Sequence, residues 1–337
     1  MKHEEWQSII LAKQGLTKSK TVEEICQNLN GLQAQFQPYV DVGFKTRLSE
    51  GEFLDAVWRE KLVRQWSIRG TVHAYLKSEI PLYLYEGMKR FSLPLDQSSR
   101  DGIVSAQTKQ RFHQILVEAL AERSLTREEL KTICREQGMT KEIEAVLFNA
   151  WGGLLRYMVE AGEIYQSYGE RRFHRLPSFE PWSKEAAELE IARRYFAGFG
   201  PVSLADARYY FKESKSKILT WMKQLDLQTV EVEGETRYYL GELETTAVPR
   251  CLFIAGFDQI LLGYEKKANP FFDSKYIRNI YTLTGIVKPV VFFKGRLVAT
   301  WKKEKKNILL DIFEPLSQTD LQELEKCRKD YEEGGKI

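Results

Sequence analysis

The stretch TKQRFHQILVEALAERSLTREEL, residues 108–130, carries the clearest fold signal in this chain of 337 residues. Its first part places Phe112, Leu116 and Leu120 at intervals of four residues, which puts them on one face of a helix. Thr126 and Glu129 then have the spacing of a capping box, the signature of a second helix start. The stretch therefore predicts two consecutive helices joined by a short turn.

The residues that follow complete a four-part pattern. A third helix is predicted over 144–161, with Trp151 on its apolar side. A hairpin turn is predicted at Tyr168-Gly169-Glu170-Arg171. Helix, helix, helix and hairpin is the element order of the winged helix, a variant of the helix-turn-helix.

The same order recurs in other parts of the chain. Beyond a linker at 177–181, helices are predicted over 185–196, over 202–210 with Ser203 as cap, and over 215–225. A hairpin with its turn at Gly234 follows, and a less regular copy covers residues 6–84. Strands are predicted over 252–254, 290–293, 297–301 and 308–312, and a last helix over 316–331. Trp301 is expected in a core, with a stacking platform for a base as the alternative.

We therefore predict an α+β, mainly α fold with three tandem winged-helix units, a C-terminal β-rich segment and a terminal helix. The expected domains are a first winged helix at 1–100, a second at 101–178, a third at 179–245 and the β-rich region at 246–337. A chain of this length exceeds the usual size of one core, which agrees with several units.

Composition narrows the class of protein. Hydrophobic residues make up 43% and charged residues 29%, values typical of folded, soluble proteins. No apolar run approaches the roughly 20 residues that span a bilayer, so we expect a cytoplasmic protein without membrane contact. The four cysteines form no C-x-x-C pair, so we expect buried free thiols, no metal site and no cofactor.

Two glutamines in an i, i+2 pair, Gln33 and Gln35, stand between Asn30-Gly31 and Pro38. Residues at this spacing share one face of an extended segment but point nearly oppositely on a helix. Pro38 disfavours helical geometry at Gln37, so we expect an extended segment that has left any helix. The alternative is a surface helix that carries two ordinary glutamines.

A basic and aromatic stretch, RQWSIRGTVH, covers residues 64–73. Arg69, Thr71 and His73 alternate, so on a strand they would share one polar face suited to phosphate contacts. For His73 the alternative is a buried histidine with satisfied hydrogen bonds. Arg64 is a further candidate phosphate anchor, and a surface salt bridge is the alternative for its side chain.

Several motifs together resemble the bacterial winged-helix DNA glycosylases, often called the AlkZ-like family, that remove alkylated bases and unhook interstrand crosslinks. The resemblance rests on L-Q-A-Q at 32–35, on Arg47-Leu48, and on R-Q-W-S-I-R-G-T-V-H at 64–73. It continues at the other end of the chain in F-D-Q-I-L-L-G-Y, residues 257–264, and in the Gly285 to Trp301 segment. Thr284 stands where an asparagine is more usual, which puts any role of residue 284 in doubt.

The resemblance implies a monofunctional glycosylase in which water attacks the sugar. Gln35 stands where a related subgroup has aspartate, so the pair resembles that of a Gln-x-Gln branch. A neutral amide cannot act as a strong base, but it can position water through its carbonyl and NH2 groups. Such weak assistance suits a purine alkylated at N7, which carries positive charge and departs readily. Gln33 and Gln35 are accordingly the predicted catalytic residues.

The expected partners are double-stranded DNA and its damaged bases, bound by a protein that we expect to be a monomer. Basic side chains interleaved with aromatic ones, and the Lys294-Gly295-Arg296 turn, are candidate DNA contacts, with solvated surface turns as the alternative. The complete set of predicted DNA contacts is Arg47, Arg64, Arg69, Thr71, His73, Arg171, Arg172, Lys266, Lys267, Arg278, Lys294, Arg296, Lys302 and Lys303.

Two other classes of protein fit a winged-helix pattern. A transcription regulator would present a basic recognition helix, but the predicted helix over 144–161 has Arg156 as its single basic residue. A protein-interaction scaffold would use the units as docking modules, and the basic and aromatic hairpins weigh against it. Sequence-specific footprints without base release would indicate the regulator, and failure to bind DNA would indicate the scaffold.

Overall fold

The computed structural model describes residues 1–49 and 55–334. Its helices, in chain order, are α1 (His3–Lys13), α2 (Val22–Leu29), α3 (Gln37–Arg47), α4 (Ala56–Lys61), α5 (Ile80–Tyr83), α6 (Ala106–Glu122), α7 (Arg127–Glu136), α8 (Lys141–Leu147), α9 (Gly153–Glu160), α10 (Lys184–Gly198), α11 (Leu204–Phe211), α12 (Lys215–Gln224), α13 (Gln259–Leu262), α14 (Ile277–Ile280) and α15 (Gln318–Glu332).

The strands are short and lie mostly in hairpins. They are β1 (Leu32–Gln33), β2 (Leu62–Trp66), β3 (Val72–Leu76), β4 (Ile164–Gln166), β5 (Phe173–Arg175), β6 (Gln228–Val232), β7 (Glu235–Tyr239), β8 (Cys251–Ile254), β9 (Val290–Phe293), β10 (Arg296–Glu304) and β11 (Asn307–Ile312). The mixed, mainly helical class predicted from the sequence is confirmed.

The chain divides into two compact units. The split unit combines Met1–Leu54 with Leu189–Ile337, and the inserted unit is the continuous segment Asp55–Glu188. The first predicted domain, 1–100, is therefore shared between them. The reason lies in α1, which is bound to residues far along the chain: the Trp6 indole N–H donates to the Pro201 carbonyl at 2.9 Å, and the Ser8 hydroxyl donates to that of Thr246 at 2.6 Å.

The inserted unit contains four helices, α6 to α9, followed by the β4–β5 hairpin. Helices α6 and α7 are present as predicted, and Thr126 and Glu129 form the capping box. Phe112, Leu116 and Leu130 lie in the core of this unit. Leu125, just before α7, pairs with Phe173 in β5 through two backbone hydrogen bonds, which fixes the β4–β5 hairpin against the helices.

The continuous third helix predicted over 144–161 is wrong. The segment forms two helices, α8 and α9, because Gly152 and Gly153 adopt φ angles of 106° and 54° between them. A side chain at Gly153 would place its Cβ 2.1 Å from the Leu147 carbonyl oxygen, so this close turn requires glycine. Trp151 consequently lies outside the core, with 78% of its surface exposed.

The basic stretch at 64–73 forms most of an antiparallel hairpin, in which Gln65 of β2 faces His73 of β3. Ile68–Gly70 is a 3-10 turn, and Arg69 within it has a φ of 60°. The prediction that Arg69, Thr71 and His73 alternate along one strand is therefore wrong. The sequence shows the alternation, but the hairpin needs a turn inside the same stretch.

The split unit repeats the four-part order in α10, α11, α12 and the β6–β7 hairpin. Ser203 caps α11 in a capping box, as predicted, with Asp206 as its partner. Val202, just before α11, pairs with Tyr238 in β7, in the same arrangement as Leu125 and Phe173 of the inserted unit. The turn predicted at Gly234 joins the two strands.

The C-terminal residues form an antiparallel sheet in the order β11-β10-β9-β8. Helix α15, capped by Ser317, packs on it through Tyr331, whose ring stacks on Phe253 with centroids 4.3 Å apart. Trp301 is buried and its indole N–H donates to the Ile254 carbonyl, which confirms its predicted place in a core. The four cysteines are buried free thiols, as expected.

Among the described residues, the helices are all too short or too polar to cross a bilayer.

Candidate active site and nucleic-acid contacts

The two glutamines lie in a short non-helical segment between α2 and α3. Helix α2 ends in Asn30, whose φ of 54° and whose side-chain bond to the Ile191 carbonyl turn the chain sharply. Gln33 lies in β1 and is half-buried, and Gln35 lies at a bend and is exposed. The alternative of a surface helix that carries both glutamines is therefore excluded.

The expectation that Pro38 follows the end of a helix is wrong, because α3 begins at Gln37 and Pro38 lies in its first turn. Proline is well tolerated there, since it lacks an N–H group that the first turn would leave without a partner. The sequence signal at Pro38 marks a helix boundary, and the structure shows that it is a start. The glutamine segment is thus bounded by one helix end and one helix start.

A buried ion pair holds the far end of α3. Arg47 donates two hydrogen bonds to Asp258, with Nη1 2.8 Å from Oδ2 and Nη2 2.7 Å from Oδ1, and its Nε donates to the Gln14 carbonyl at 2.8 Å. The Arg47 side chain has no exposed surface. The prediction of Arg47 as a phosphate anchor is therefore wrong in this structure, because a carboxylate inside the split unit already neutralises the guanidinium.

Gln259, the residue after Asp258, holds the start of the glutamine segment. The Gln259 side chain donates to the Gly31 carbonyl at 2.9 Å, directly before β1. Two motifs more than 200 residues apart in sequence, Leu32–Gln35 and Phe257–Tyr264, therefore lie side by side. Their meeting gives the glutamine segment a defined backbone path that local sequence preferences would not impose.

Three aromatic rings lie next to the glutamine pair. Phe36 packs on Tyr39 with ring centroids 5.8 Å apart and on Phe257 with centroids 5.6 Å apart. Phe257 and the nearby Gln259 are buried, whereas 41% of the Phe36 surface is exposed. The sequence analysis missed this cluster, because its members are adjacent only in space; the position of Phe36 directly after Gln35 was the one available signal.

A third glutamine, Gln37, was also overlooked. Its amide nitrogen and oxygen are buried, and among the described protein groups neither has a hydrogen-bond partner. The spacing Gln33, Gln35 and Gln37 could have indicated it, since the i, i+2 interval simply continues. The start of α3 at this residue separates it from the extended pair.

His73 is fully buried in the inserted unit, which contradicts its prediction as a DNA contact and confirms the alternative of a hydrogen-bonded core histidine. Its Nδ1 lies 3.0 Å from the Ser67 hydroxyl, and its Nε2 accepts from Arg69 at 3.4 Å. Burial, reinforced by the positive charge of Arg69, lowers the His73 pKa to about 3. The imidazole is therefore neutral at physiological pH.

The other predicted contacts of the 64–73 hairpin are half-buried. The Arg64 guanidinium donates to the Gln166 side chain at 2.8 Å, and burial together with the charge of Arg171 lowers its pKa to about 10. The Thr71 hydroxyl donates to the Ile68 carbonyl at 3.4 Å. These groups hold the hairpin in place within the inserted unit, and their DNA contacts stay predictions.

The β4–β5 hairpin presents two arginines with different roles. Arg172 donates to the Ser124 carbonyl at 2.7 Å and pairs with Glu129 at 3.0 Å, so it braces the hairpin against the start of α7. Arg171, at the tip, is exposed and has a φ of 55°. Of the two, Arg171 is the better placed to meet a phosphate.

The predicted basic contacts of the split unit are mostly exposed, and acidic neighbours accompany several of them. Lys294 pairs with Asp320 at 2.6 Å, and Arg296 pairs with Glu314 at 3.2 Å. Lys302 pairs with Glu304 at 2.6 Å. Surface pairs of this kind contribute at most about 1 kcal/mol each, so a phosphate can compete for these cations. The remaining members, Lys267, Arg278 and Lys303, are exposed, and Lys266 is half-buried over the Tyr281 ring.

The predicted residues therefore fall into two sets. Gln33, Gln35 and the basic groups from Lys266 to Lys303 belong to the split unit, whereas the contacts from Arg64 to Arg172 belong to the inserted unit. Within the described ranges, 1–49 and 55–334, no three histidine, cysteine or acidic side chains come together as a metal site would require.

Comparison with known proteins identifies relatives along almost the whole chain. The family model described as DNA glycosylase AlkZ-like matches residues 26–333. An interstrand DNA cross-link repair glycosylase of Streptomyces sahachiroi is 23% identical over 329 residues, which cover 91% of this chain and 88% of the relative. The solved structure of the Streptomyces sahachiroi DNA glycosylase AlkZ superimposes with a TM-score of 0.71 at 20% identity, over 96% of this chain and 94% of that one, and so shares the fold. With a family model that spans most of its length, this chain belongs to the AlkZ-like family of DNA glycosylases.

Proposed function

We propose that this DNA glycosylase is monofunctional and hydrolyses the N-glycosidic bond of purines alkylated at N7, with Gln33 and Gln35 positioning the attacking water. The observation that carries the proposal is the path of the glutamine segment. It is non-helical and exposes Gln35. The Gln259 side chain holds the backbone directly before it, and the buried Arg47–Asp258 pair holds the far end of α3, the helix that follows it.

Hydrolysis of a cationic purine nucleotide is a reaction that two neutral glutamine amides could assist. Hydrolysis joins the water oxygen to C1′ and breaks the bond from C1′ to the purine nitrogen, whose electron pair neutralises the cationic base as it leaves. The sugar carries positive charge in the transition state, and the carbonyl oxygen of an amide can accept a hydrogen bond from the water and face that charge. The proton that the water loses on forming the bond to C1′ passes to bulk solvent. Uracil and undamaged bases should be poor substrates, because they lack the positive charge that activates the leaving base and an amide cannot protonate them.

We further propose that interstrand crosslinks formed through N7 are substrates. The support is the relationship to a protein named as an interstrand cross-link repair glycosylase. A crosslinked purine has the same cationic leaving group as a simple adduct, so the same chemistry would release it.

For DNA binding we propose that the two segments of consecutive helices and a hairpin, α6 to β5 and α10 to β7, are winged-helix units that contact the duplex as parts of a monomer. Exposed basic groups in both units supply phosphate contacts in this proposal. They are Arg171, Lys267, Arg278, Lys294, Arg296, Lys302 and Lys303. Family membership favours catalysis over the regulator and scaffold alternatives.

The test is release of free base from duplex DNA that contains 7-methylguanine. Single-turnover rates of the wild type are compared with Gln33→Ala, Gln35→Ala and the double variant. Removing a group that stabilises the transition state typically costs about 100-fold or more, so we expect a loss of that size.

Gln27→Ala is the matched control, because Gln27 is an exposed glutamine in the neighbouring helix α2. It should release base at the wild-type rate. Full activity of the Gln35→Ala enzyme would show that the pair does not position the water.

A further inference from the structure

The aromatic cluster of Phe36, Tyr39 and Phe257 includes a residue with a strained backbone conformation. Phe257 has a φ of 58°, a conformation that costs a bulky residue about 1 kcal/mol or more. Such strain persists where the surrounding contacts impose it, and it concentrates at functional sites. Here the contacts come from the next two residues, Asp258 and Gln259, which are bound to α3 and to the backbone before β1.

Gly256 provides the space that the cluster needs. A Cβ atom at this position would lie 2.7 Å from Cε2 of Tyr39 and 2.7 Å from the Val287 carbonyl oxygen. The Tyr39 ring therefore lies directly on the backbone of residue 256. With Tyr39 and Phe257 fixed on the inner side, the ring of Phe36 is supported by both and still exposes 41% of its surface.

Exposure of Phe36 is unusual for a ring that has two aromatic neighbours to pack against. A side chain of this size contributes most when it is fully buried, and a rigid, partly exposed aromatic ring is typical of a binding contact. Its position in the chain restricts what it can contact, because Phe36 follows Gln35 directly. Both side chains are exposed, and the Cα atoms of consecutive residues lie about 3.8 Å apart, so a base held at Gln35 lies close to Phe36.

We propose that the exposed ring of Phe36 contacts the alkylated purine and selects it by its positive charge. This inference rests on the proposed function, because it takes Gln33 and Gln35 as the site of hydrolysis. The π face of an aromatic ring is negative and attracts cations, and the attraction increases when water is excluded. An N7-alkylated purine is a flat cation, so it gains both stacking and electrostatic energy on this ring. An undamaged purine gains the stacking alone.

The test separates charge from shape by measuring affinity with two lesions that the enzyme does not hydrolyse. One duplex carries N7-methylguanine on a 2′-fluorinated sugar, which keeps the positive charge and resists hydrolysis. The other carries 7-methyl-7-deazaguanine, which has the same outline and no charge. Dissociation constants are compared for the wild type, Phe36→Leu and Phe36→Tyr.

We expect Phe36→Leu to weaken binding of the cationic duplex about five- to tenfold and to change binding of the neutral one less than about twofold. Phe36→Tyr retains the aromatic face and should restore the preference. Phe91→Leu is the matched control, since Phe91 is a similarly exposed phenylalanine, at 45%, in the inserted unit. Thermal unfolding of each variant verifies that it is folded.

Equal losses on the two duplexes, or no loss on either, would overturn the proposal, because the ring would then act through packing alone or not at all. So would a wild-type enzyme that binds both duplexes equally. These outcomes are independent of the base-release assay. The glutamine variants can lose base release while Phe36 has no charge preference, and Phe36 can have that preference while the glutamines prove dispensable.

Discussion

The role of Arg47 follows from the burial of its charged side chain. Its guanidinium and the Asp258 carboxylate form a bidentate pair in which the exposed fractions are 0% and 2%, so each ion depends on the other for the solvation it has lost. A phosphate could bind this arginine only if the pair opened. The pair is therefore part of the scaffold that holds α3 and the glutamine segment.

Replacing Arg47 by methionine should strongly destabilise the protein. The change leaves a carboxylate buried without its partner, which typically costs about 3–5 kcal/mol in the free energy of unfolding. Urea denaturation of the wild type and the variant measures it. Lys18→Met is the matched control, because Lys18 pairs with Glu244 at the surface and should contribute about 1 kcal/mol or less. A small effect of Arg47→Met would contradict the structural role.

His73 should make stability depend on pH between about 3 and 6.5. Its pKa is lowered to about 3 in the folded protein by burial and by Arg69, whereas an unfolded histidine has a pKa near 6.5. In that window the unfolded chain binds one more proton than the folded protein, so stability falls as the pH falls. The contribution of this group should decrease by about 2 kcal/mol from pH 7 to pH 5.

The measurement is the free energy of unfolding at pH 5, 6 and 7 for the wild type and His73→Gln. The variant has no imidazole to protonate, so its stability should fall less over this range. Equal pH dependence of the two proteins would mean that folding does not lower the His73 pKa.

Among the elements, the break between α8 and α9 is the clearest departure from helical periodicity. Apolar residues continue at helical spacing through Trp151 and Leu154, but α8 ends at Leu147 and α9 begins at Gly153, after Gly152 and Gly153 have turned the chain with positive φ angles. Periodicity describes which face residues share if a helix continues; it does not state that the helix continues. The steric requirement at Gly153 overrides it.

Gly153→Ala should therefore destabilise the inserted unit by about 3 kcal/mol or more, since the new Cβ would meet the Leu147 carbonyl oxygen in addition to the strained φ. Gly234→Ala is the control, because Gly234 has a φ of 83° and open space around it. That change should cost about 1–2 kcal/mol from the backbone alone. If chemical denaturation gave the same loss of unfolding free energy for Gly153→Ala and Gly234→Ala, the contact at Leu147 would contribute nothing to the destabilisation.

At the scale of the whole molecule, the two units are built differently. The inserted unit has a core formed by its own residues, whereas the N-terminal residues contact distant parts of the chain. The core of the inserted unit includes Phe112, Leu116 and Leu155, all within Asp55–Glu188. Residues at the N-terminus instead bond to the far side of the sequence, as in the donation from Gln7 to the Pro270 carbonyl at 2.6 Å.

A fragment of residues 55–188 should fold cooperatively without the rest of the chain, because its apolar contacts are internal. A fragment of residues 1–100 should not, since it lacks the partners of α1. Near-ultraviolet circular dichroism and urea denaturation of both fragments provide the measurement. The reverse result, a folded 1–100 and an unfolded 55–188, would contradict the division into a split and an inserted unit.

Local sequence determined much of this protein. Helices α6, α7, α11 and α15 begin where Ser105, Thr126, Ser203 and Ser317 cap them, and the hairpin turns lie at the glycines that the pattern indicates. Capping, periodicity and turn preferences act over a few residues, so they can be recognised directly in the sequence. The sequence also indicated the glutamine pair, but it left open whether the pair lies on an extended segment or on a helix.

The tertiary structure decided which charged and aromatic residues are available. Nothing local distinguishes Arg47, which is paired with Asp258, from an exposed arginine such as Arg278, because solvation depends on partners more than 200 residues away. The same holds for Phe36 and Phe257, whose rings meet only when the two ends of the chain fold together. Contacts between distant parts of the chain therefore determine which of the charged and aromatic residues stay exposed. The physical reason is that burying each group costs desolvation free energy, which its partners must offset.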